Sequence, residues 1–319
     1  MSTVKLSIVI PIFNEENTIR LLYESITKYL SSFEYELIFI NDGSLDETKN
    51  EIIKINDKHV KLINFSRNFG QSSALKAGID YASGDYIITM DGDMQNDPSD
   101  IPMMVQKAIK EDYDLVAGVR ANRKDGALLR KIPSKIANRL IKKTTKTDFK
   151  DLGCALKVIK ADMAKKLGIY GELHRFISIL AVFEGARFTQ VNVKHHERKF
   201  GKSKYGLDRT FKVLCDLFLM LFLKKYIQRP IHLFGKYGAI MSILGILINL
   251  YLVGVKLILN QDIGNRPLLF LGGLLITSGF QLITVGLVAE LQMRTYFESQ
   301  EKKPYNIKSL FIGGDKVNL

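Results

Sequence analysis

Asp91-Gly92-Asp93 sets two carboxylates on alternate residues behind the apolar run Tyr86-Ile87-Ile88-Thr89-Met90. At a strand terminus, with a glycine between them that lets the chain bend, such a pair can grip one hard divalent cation. A cation held there would bind a diphosphate, neutralise a departing phosphate and act as a Lewis acid. D-x-D is a weak signal alone; the β-branched run before it gives it weight. It is not an EF-hand loop, because Asn96 stands where glycine is needed and Pro102 where glutamate is needed. Three other apolar runs end in polar clusters: Pro11-Ile12-Phe13-Asn14-Glu15-Glu16, Asn41-Asp42-Gly43-Ser44 and Ser66-Arg67-Asn68-Phe69-Gly70-Gln71. Ligands of open α/β sheets bind beyond the carboxyl ends of the strands, so four successive strand ends carrying polar groups predict one binding edge.

The elements that would position these groups are legible as a pattern. Strands are expected over Val4 to Ile12, Tyr35 to Ile40, Val60 to Phe65 and Tyr86 to Met90. Helices are expected between them, over Glu16 to Leu30, Asp46 to Asn56 and Ser72 to Ala82. Strands alternating with helices of ten to fifteen residues predict βαβ units and a parallel, doubly wound α/β sheet, to which Leu115 to Gly118 and Phe188 to Val193 would add. His195 and His196 are adjacent; neighbouring residues in a strand face opposite ways, which argues against a joint metal site.

The chain has 319 residues, and Lys plus Arg minus Asp plus Glu is 46 − 33 = +13. That charge calls for an anionic partner: nucleic acid, a phosphorylated metabolite or an anionic membrane face. No nucleic-acid-binding motif accompanies it, so nucleic acid is not expected as a partner. C-x-x-C, H-E-x-x-H, the P-loop pattern and G-x-G-x-x-G are all missing from the sequence, which sets aside zinc fingers, P-loop hydrolysis and standard dinucleotide binding. Two cysteines, Cys154 and Cys215, make no disulfide framework.

Beyond Tyr205 the apolar residues crowd together. Leu268 to Ala289 carries no charge, and Phe234 to Leu259 has only Lys236 and Lys256 near its ends. At about 1.5 Å rise per residue both runs cross a hydrocarbon core of roughly 30 Å, so two transmembrane helices are expected. Lys224, Lys225, Arg229 and Lys236 flank the first and Arg294, Lys302 and Lys303 follow the second. The positive-inside rule then puts both termini and the preceding domain in the cytoplasm. The first apolar run, Leu6 to Phe13, is short and runs into Asn14-Glu15-Glu16, so no signal peptide is expected. Val213 to Leu223 is too short to span and suits a helix in the headgroup layer, with an ordinary amphipathic core helix as the alternative. The expected organisation is a catalytic domain over 1–206, an interfacial helix over 207–232, two spans over 233–293 and a cytoplasmic tail over 294–319.

Ile8-Val9-Ile10-Pro11 with Asn14-Glu15-Glu16, Asn41-Asp42-Gly43-Ser44, Arg67-Asn68-Phe69-Gly70 and Asp91-Gly92-Asp93-Met94-Gln95 together resemble glycosyltransferase family 2, inverting enzymes of GT-A fold. With two C-terminal spans, the chain is similar to the polyprenyl-phosphate glycosyltransferases, relatives of dolichol-phosphate mannose synthase. Asp151-Leu152-Gly153-Cys154 and His195-His196-Glu197-Arg198 with Gly201-Lys202-Ser203-Lys204-Tyr205 resemble the bacterial undecaprenyl-phosphate sugar transferase branch. One departure stands out: many relatives carry Phe-Arg-Leu where this chain has Cys154-Ala155-Leu156-Lys157.

The resemblance implies a nucleotide-sugar donor, a UDP-sugar, bound by Pro11, Phe13, Glu15, Asp42, Arg67, Asp91 and Gln95, with Asp42 on the base. It implies Mg²⁺ or Mn²⁺ on the diphosphate, held by Asp91, Asp93 and Gln95, Asp91 facing either the ribose or the metal. The implied acceptor is the phosphate of a polyprenyl lipid, undecaprenyl phosphate, guided by Arg120, Arg123, Arg130, Arg139, Arg198, Ser203 and Lys204. The stretch Arg120 to Lys146 has a plainer reading as a solvated basic face. Asp93 and Asp151 are the expected catalytic carboxylates; Asp151 would orient the acceptor or act as base, with Asp148 as competitor and a turn cap as the alternative. A homotetramer in the bacterial inner membrane is implied as well. Two rivals remain open: a processive polysaccharide synthase, against which stands a chain with no Trp and no Gln-x-x-Arg-Trp, and a non-catalytic nucleotide-sugar-binding scaffold.

Overall fold

A computed structural model describes residues 4–120, 147–197, 222, 230–299, 310–312 and 315–317. The chain divides into two compact units, Met1–Phe218 and Leu219–Leu319. The expected interfacial helix falls almost wholly outside the described residues, as does the basic stretch after Arg120.

The first unit is built on a seven-stranded sheet. In chain order its elements are β1 (Lys5–Ile12), α1 (Ile19–Leu30), β2 (Glu34–Asn41), α2 (Thr48–Lys54), β3 (Val60–Asn64), α3 (Gln71–Tyr81) and β4 (Tyr86–Thr89). There follow α4 (Ile101–Lys110), β5 (Leu115–Arg120), β6 (Lys157–Lys160), α5 (Ala161–Lys166), α6 (Ile177–Phe183) and β7 (Phe188–Val193). The strand order is β3-β2-β1-β4-β6-β5-β7. Every strand expected from the pattern is present, but the sheet is mixed rather than parallel. β6 pairs antiparallel with both β4 and β5, while β5 and β7 pair in parallel. β6 is four residues, Lys-Val-Ile-Lys, too short for periodicity to reveal; it begins with Lys157 opposite Ala117, near the end of β5, and so runs back against that strand.

Alternation along the strands divides the core into two layers. Leu6, Ile8, Ile10 and Ile12 face α1 and α4 and pack with Ile19, Leu22, Ile26, Met104 and Val105. Val9, Ile38, Ile40 and Ile87 face the other way, onto Ala74, Leu75 and Ile79 of α3 and Ile177 and Ala181 of α6. This burial, about 25 cal/mol per Å² of apolar surface, is what holds the strand ends in register. On α3, Gly78 lets the helix lie close: a Cβ there would meet Val9 Cγ1 at 2.3 Å.

The opposite, amino-terminal edge of the sheet carries a buried polar knot. Glu36, 4% exposed, accepts from Ser7 Oγ at 2.5 Å and Ser83 N–H at 2.7 Å and pairs with Lys61 Nζ at 2.5 Å. Burial alone would raise its pKa, but the Lys61 pair and these hydrogen bonds outweigh it and hold the group at about 2. A depressed folded-state pKa stabilises the fold above the unfolded value, near 4.5, and that contribution disappears as pH falls toward about 2. Glu36→Gln is therefore expected to be less stable than wild type at pH 7 and to converge with it by pH 2 to 3. Chemical denaturation across that range checks this.

In the second unit, α7 (Ile231–Leu259) and α8 (Pro267–Ser299) are long and apolar enough to cross a membrane, by 29 residues and by the 27 residues of Pro267–Met293. Much of their large apolar surface is exposed, Phe270 at 74% and Leu257 at 73%. They approach through glycines seven residues apart. A Cβ on Gly238 would lie 2.6 Å from Gly279 O, and one on Gly245 2.6 Å from Gly272 O. Small residues at such seams let two helix backbones come together where the surroundings supply no hydrophobic drive.

Candidate active site

At the carboxyl edge of β1 and β2 two loops are buttoned together. Asn14, in the left-handed region at φ 54°, donates its N–H to Ser44 Oγ at 2.9 Å and accepts Leu45 N–H at 2.9 Å. Glu15 N–H donates to Thr48 Oγ1 at 2.9 Å, and Glu47 N–H to Glu16 Oε2 at 2.9 Å. Pro11, Phe13 and Glu15 are half-buried along this seam. The loop thus has a set shape before any ligand arrives, which lowers the ordering cost of binding.

Asp42 lies 4% exposed just beyond β2. Its Oδ1 accepts Phe69 N–H at 2.7 Å and its Oδ2 accepts Gly70 N–H at 3.0 Å. Burial raises its pKa, and the two backbone donors partly offset this. One function of Asp42 is therefore to tie the β3–α3 loop to β2. Gly43 permits that approach: its φ is +70°, and a Cβ would meet Arg67 C at 2.4 Å and Asn68 N at 2.6 Å. A left-handed non-glycine residue costs about 1–2 kcal/mol before any clash. Gly43→Ala is thus expected to lower the melting temperature, as thermal unfolding would show. Arg67 is exposed at this edge, its guanidinium 4.6 Å from the centroid of the Phe69 ring, an arrangement that orients the cation.

Beyond β4 the chain turns sharply. Met94 takes φ +59°, Gln95 N–H donates to Asp93 Oδ1 at 3.2 Å, and Gln71 Nε2 donates to Asp91 Oδ1 at 2.7 Å. Such strained positions persist where the surroundings fix them, and they cluster at functional sites. The turn is braced from β7's exit: His196 N–H donates to Gln95 O at 2.8 Å, Asn96 and His195 form a bridge, and Lys194 N–H donates to Asp100 Oδ2 at 2.7 Å. His196 Nε2 lies 3.0 Å from Asp97 Oδ2. Burial would raise Asp97, but His196, the Ser99 N–H and Lys194 together hold its carboxyl below the ordinary value. The two histidines thus brace the Asp93 turn.

Among the described residues no three His, Cys, Asp or Glu side chains form a metal cage. What the turn offers is two carboxylates and an amide, Asp91, Asp93 and Gln95. That all-oxygen donor set fits a hard cation such as Mg²⁺ or Mn²⁺ whose coordination is completed by phosphate and water.

On the far side of β6, Arg120 closes β5 with its guanidinium forked on Asp151: Nε to Oδ2 at 2.7 Å and Nη2 to Oδ1 at 2.9 Å. The Arg120 and Gly153 N–H groups also donate to Asp151, at 3.2 and 3.0 Å. The two side chains are 15% and 7% exposed. Bidentate forks of this kind fix direction as well as adding energy. Asp148 is exposed, and its carbonyl accepts Gln190 Nε2 at 2.9 Å. Arg123, Arg130, Arg139, Arg198, Ser203 and Lys204 lie outside the described residues.

Two features were not anticipated. Lys157, in β6, is 2% exposed, and that burial pushes its ammonium pKa down against the opposing fields of Asp91 and Asp151. Its neighbours in sequence, Val158 and Lys160, gave no sign that this lysine rather than Lys160 would be inside. The other is a line of side chains at the start of α3. Ser72 Oγ lies 2.9 Å from His174 Nδ1, and Arg175 Nη2 pairs with Glu172 at 2.7 Å. Ser72 and His174 are 102 residues apart, and no local pattern joins them.

Residues 7–168 match the family described as Glycosyl transferase family 2. A dodecaprenyl-phosphate galacturonate synthase of Rhizobium johnstonii is 42% identical over 98% of this chain and 94% of its own length. An undecaprenyl-phosphate 4-deoxy-4-formamido-L-arabinose transferase of Photorhabdus laumondii is 35% identical over 98% of this chain and 96% of its own. Among solved structures, glucosyl-3-phosphoglycerate synthase of Mycobacterium tuberculosis, in complex with Mn²⁺ and UDP-glucose, superposes with a TM-score of 0.56. It is 19% identical and covers 69% of this chain and 79% of that one, a likeness of fold. The mixed sheet, the carboxylate turn beyond β4 and relatives matched from end to end agree: the chain is a glycosyltransferase and belongs to glycosyltransferase family 2.

Proposed function

We propose that the protein transfers one sugar from a UDP-sugar to the phosphate of a polyprenyl lipid, undecaprenyl phosphate, with inversion at the anomeric carbon. The observation that carries this is the meeting, at one sheet edge, of two unlike devices. The Asp91–Gln95 turn suits a cation on the donor diphosphate, and the Arg120–Asp151 fork suits an incoming phosphate. The relatives named for polyprenyl phosphates support the same acceptor class.

Asp42, the Pro11–Glu15 seam and Arg67 would hold the nucleotide, with Asp91, Asp93 and Gln95 under the diphosphate. A divalent cation bound there would neutralise the departing diphosphate. A phosphate monoester, with a second pKa near 6, is largely dianionic at neutral pH, so its oxygen attacks with little help from a base. The bond from that oxygen to the anomeric carbon forms as the bond to the diphosphate breaks, and a single displacement inverts the centre. What the step demands is a cation to bring one anion toward another. Arg120, aimed by Asp151, supplies it; Asp151 orients rather than deprotonates. Arg123, Arg130, Arg139, Arg198, Ser203 and Lys204 are proposed to extend the same phosphate path.

α7 and α8 would anchor the chain in the bacterial inner membrane with both termini and the catalytic unit cytoplasmic, by the charge flanking the spans. The assembly is proposed to be a homo-oligomer, a tetramer. Nucleotide release by detergent-purified protein tests the reaction. It would be run with Mg²⁺ or Mn²⁺ over a panel of UDP- and GDP-sugars that includes UDP-galacturonate, with and without undecaprenyl phosphate. Lipid-dependent release with one donor is expected. Release without lipid would reject the acceptor, and binding without turnover would favour a scaffold.

A further inference from the structure

The turn that presents Asp151 is pinned by two buried side chains that face each other across the β4–β6 ladder. Thr89 and Lys157 are register partners in that antiparallel pair, each 2% exposed. Thr89 Oγ1 donates to Ala155 O at 2.7 Å, and Lys157 Nζ donates to the preceding carbonyl, Cys154 O. The same turn lies flat on β5: Gly118 N–H donates to Leu156 O at 3.0 Å, and a Cβ on Gly118 would meet Cys154 Sγ at 2.8 Å and Leu156 O at 2.9 Å. Two residues beyond Gly118 stands Arg120, whose fork closes on Asp151 three residues before Cys154. The fork thus stands at the end of a backbone turn that Thr89, Lys157 and Gly118 hold from three sides.

A fully buried lysine is costly, and a methionine would fill the same space without that cost. Holding one backbone carbonyl is a small return for an ammonium. Its position gives the larger one: Lys157 stands opposite Thr89, two residues before Asp91, and holds the turn that carries Asp151. We propose that Thr89 and Lys157 are positioning residues for the acceptor phosphate, fixing the Asp151–Ala155 turn so that Arg120 points at the incoming phosphate. This rests on the transfer reading above.

The test uses full-length protein in detergent with Lys157→Met and Thr89→Val, both near in shape to what they replace. The readouts are the melting temperature, the KM for undecaprenyl phosphate, kcat, and the Kd for UDP with Mn²⁺ in the absence of lipid. Expected for Lys157→Met is a lipid KM raised about tenfold or more with the UDP Kd within threefold, and for Thr89→Val a smaller rise in the same direction. A general loss of structure would move both ligands together, and that result overturns the proposal. So does an unchanged lipid KM in either folded variant; if Lys157→Met does not fold, Thr89→Val decides. Wild-type protein that binds UDP but shows no lipid-dependent release overturns the transfer reading itself. Normal wild-type turnover with indistinguishable variants overturns only the role of Thr89 and Lys157.

Discussion

Asp93→Asn is expected to cut sugar transfer by about 10²–10³-fold while leaving the protein folded. The asparagine keeps the size of the side chain and an oxygen for the Gln95 N–H, which lies 3.2 Å from Asp93 Oδ1. What it removes is one of the two negative charges of the Asp91–Gln95 turn. A pre-organised electrostatic group of this kind is worth about 10²–10³ in kcat when removed. The expected result is a fall of that size with saturating donor and lipid, an unchanged melting temperature and a raised requirement for Mn²⁺. Steady-state kinetics over a metal titration give all three. Activity within threefold of wild type would sink the assignment of Asp93 to the diphosphate's cation.

The second large effect is expected at the Arg120–Asp151 fork, where stability and activity can be separated. Asp151→Ala leaves a guanidinium that is only 15% exposed without its fork partner. Breaking a buried pair from one side costs about 3–5 kcal/mol; the residual exposure of Arg120 places the expected loss near the lower end. Replacing both partners by apolar groups, Arg120→Met with Asp151→Leu, should recover most of that stability. It should not recover transfer, because the cation proposed to guide the phosphate is gone. Denaturant unfolding and the KM for undecaprenyl phosphate, measured on the single and double variants, test the two halves independently. A double variant that turns over normally would show that the fork is only structural.

Much of the donor side is legible in one dimension. Each strand is a β-branched run, and each run ends in its own polar cluster within a few residues, so Asp42, Arg67, Asp91 and Asp93 could be assigned to one sheet edge from spacing alone. The two long helices are equally local, because length and apolar composition decide them. Other features were not legible. β6 has four residues and enters the sheet between β4 and β5, against the direction of every other strand. That placement decides which residues become neighbours: it sets Lys157 opposite Thr89 and brings Asp151 to Arg120, 31 residues away.

By itself the order of residues determined the fold class, the edge at which the polar strand ends gather and the kinds of group found there, since period, branching and turn residues act over a few positions of chain. Only the tertiary structure decided how those groups are used. It alone shows that Asp42 spends hydrogen bonds on the Phe69 and Gly70 N–H groups, that Asp151 is forked by Arg120, and that Lys157 is inside while Lys160 pairs with Asp112 outside. A side chain's task depends on which distant backbone or charge faces it after the sheet has closed, and that is a property of packing.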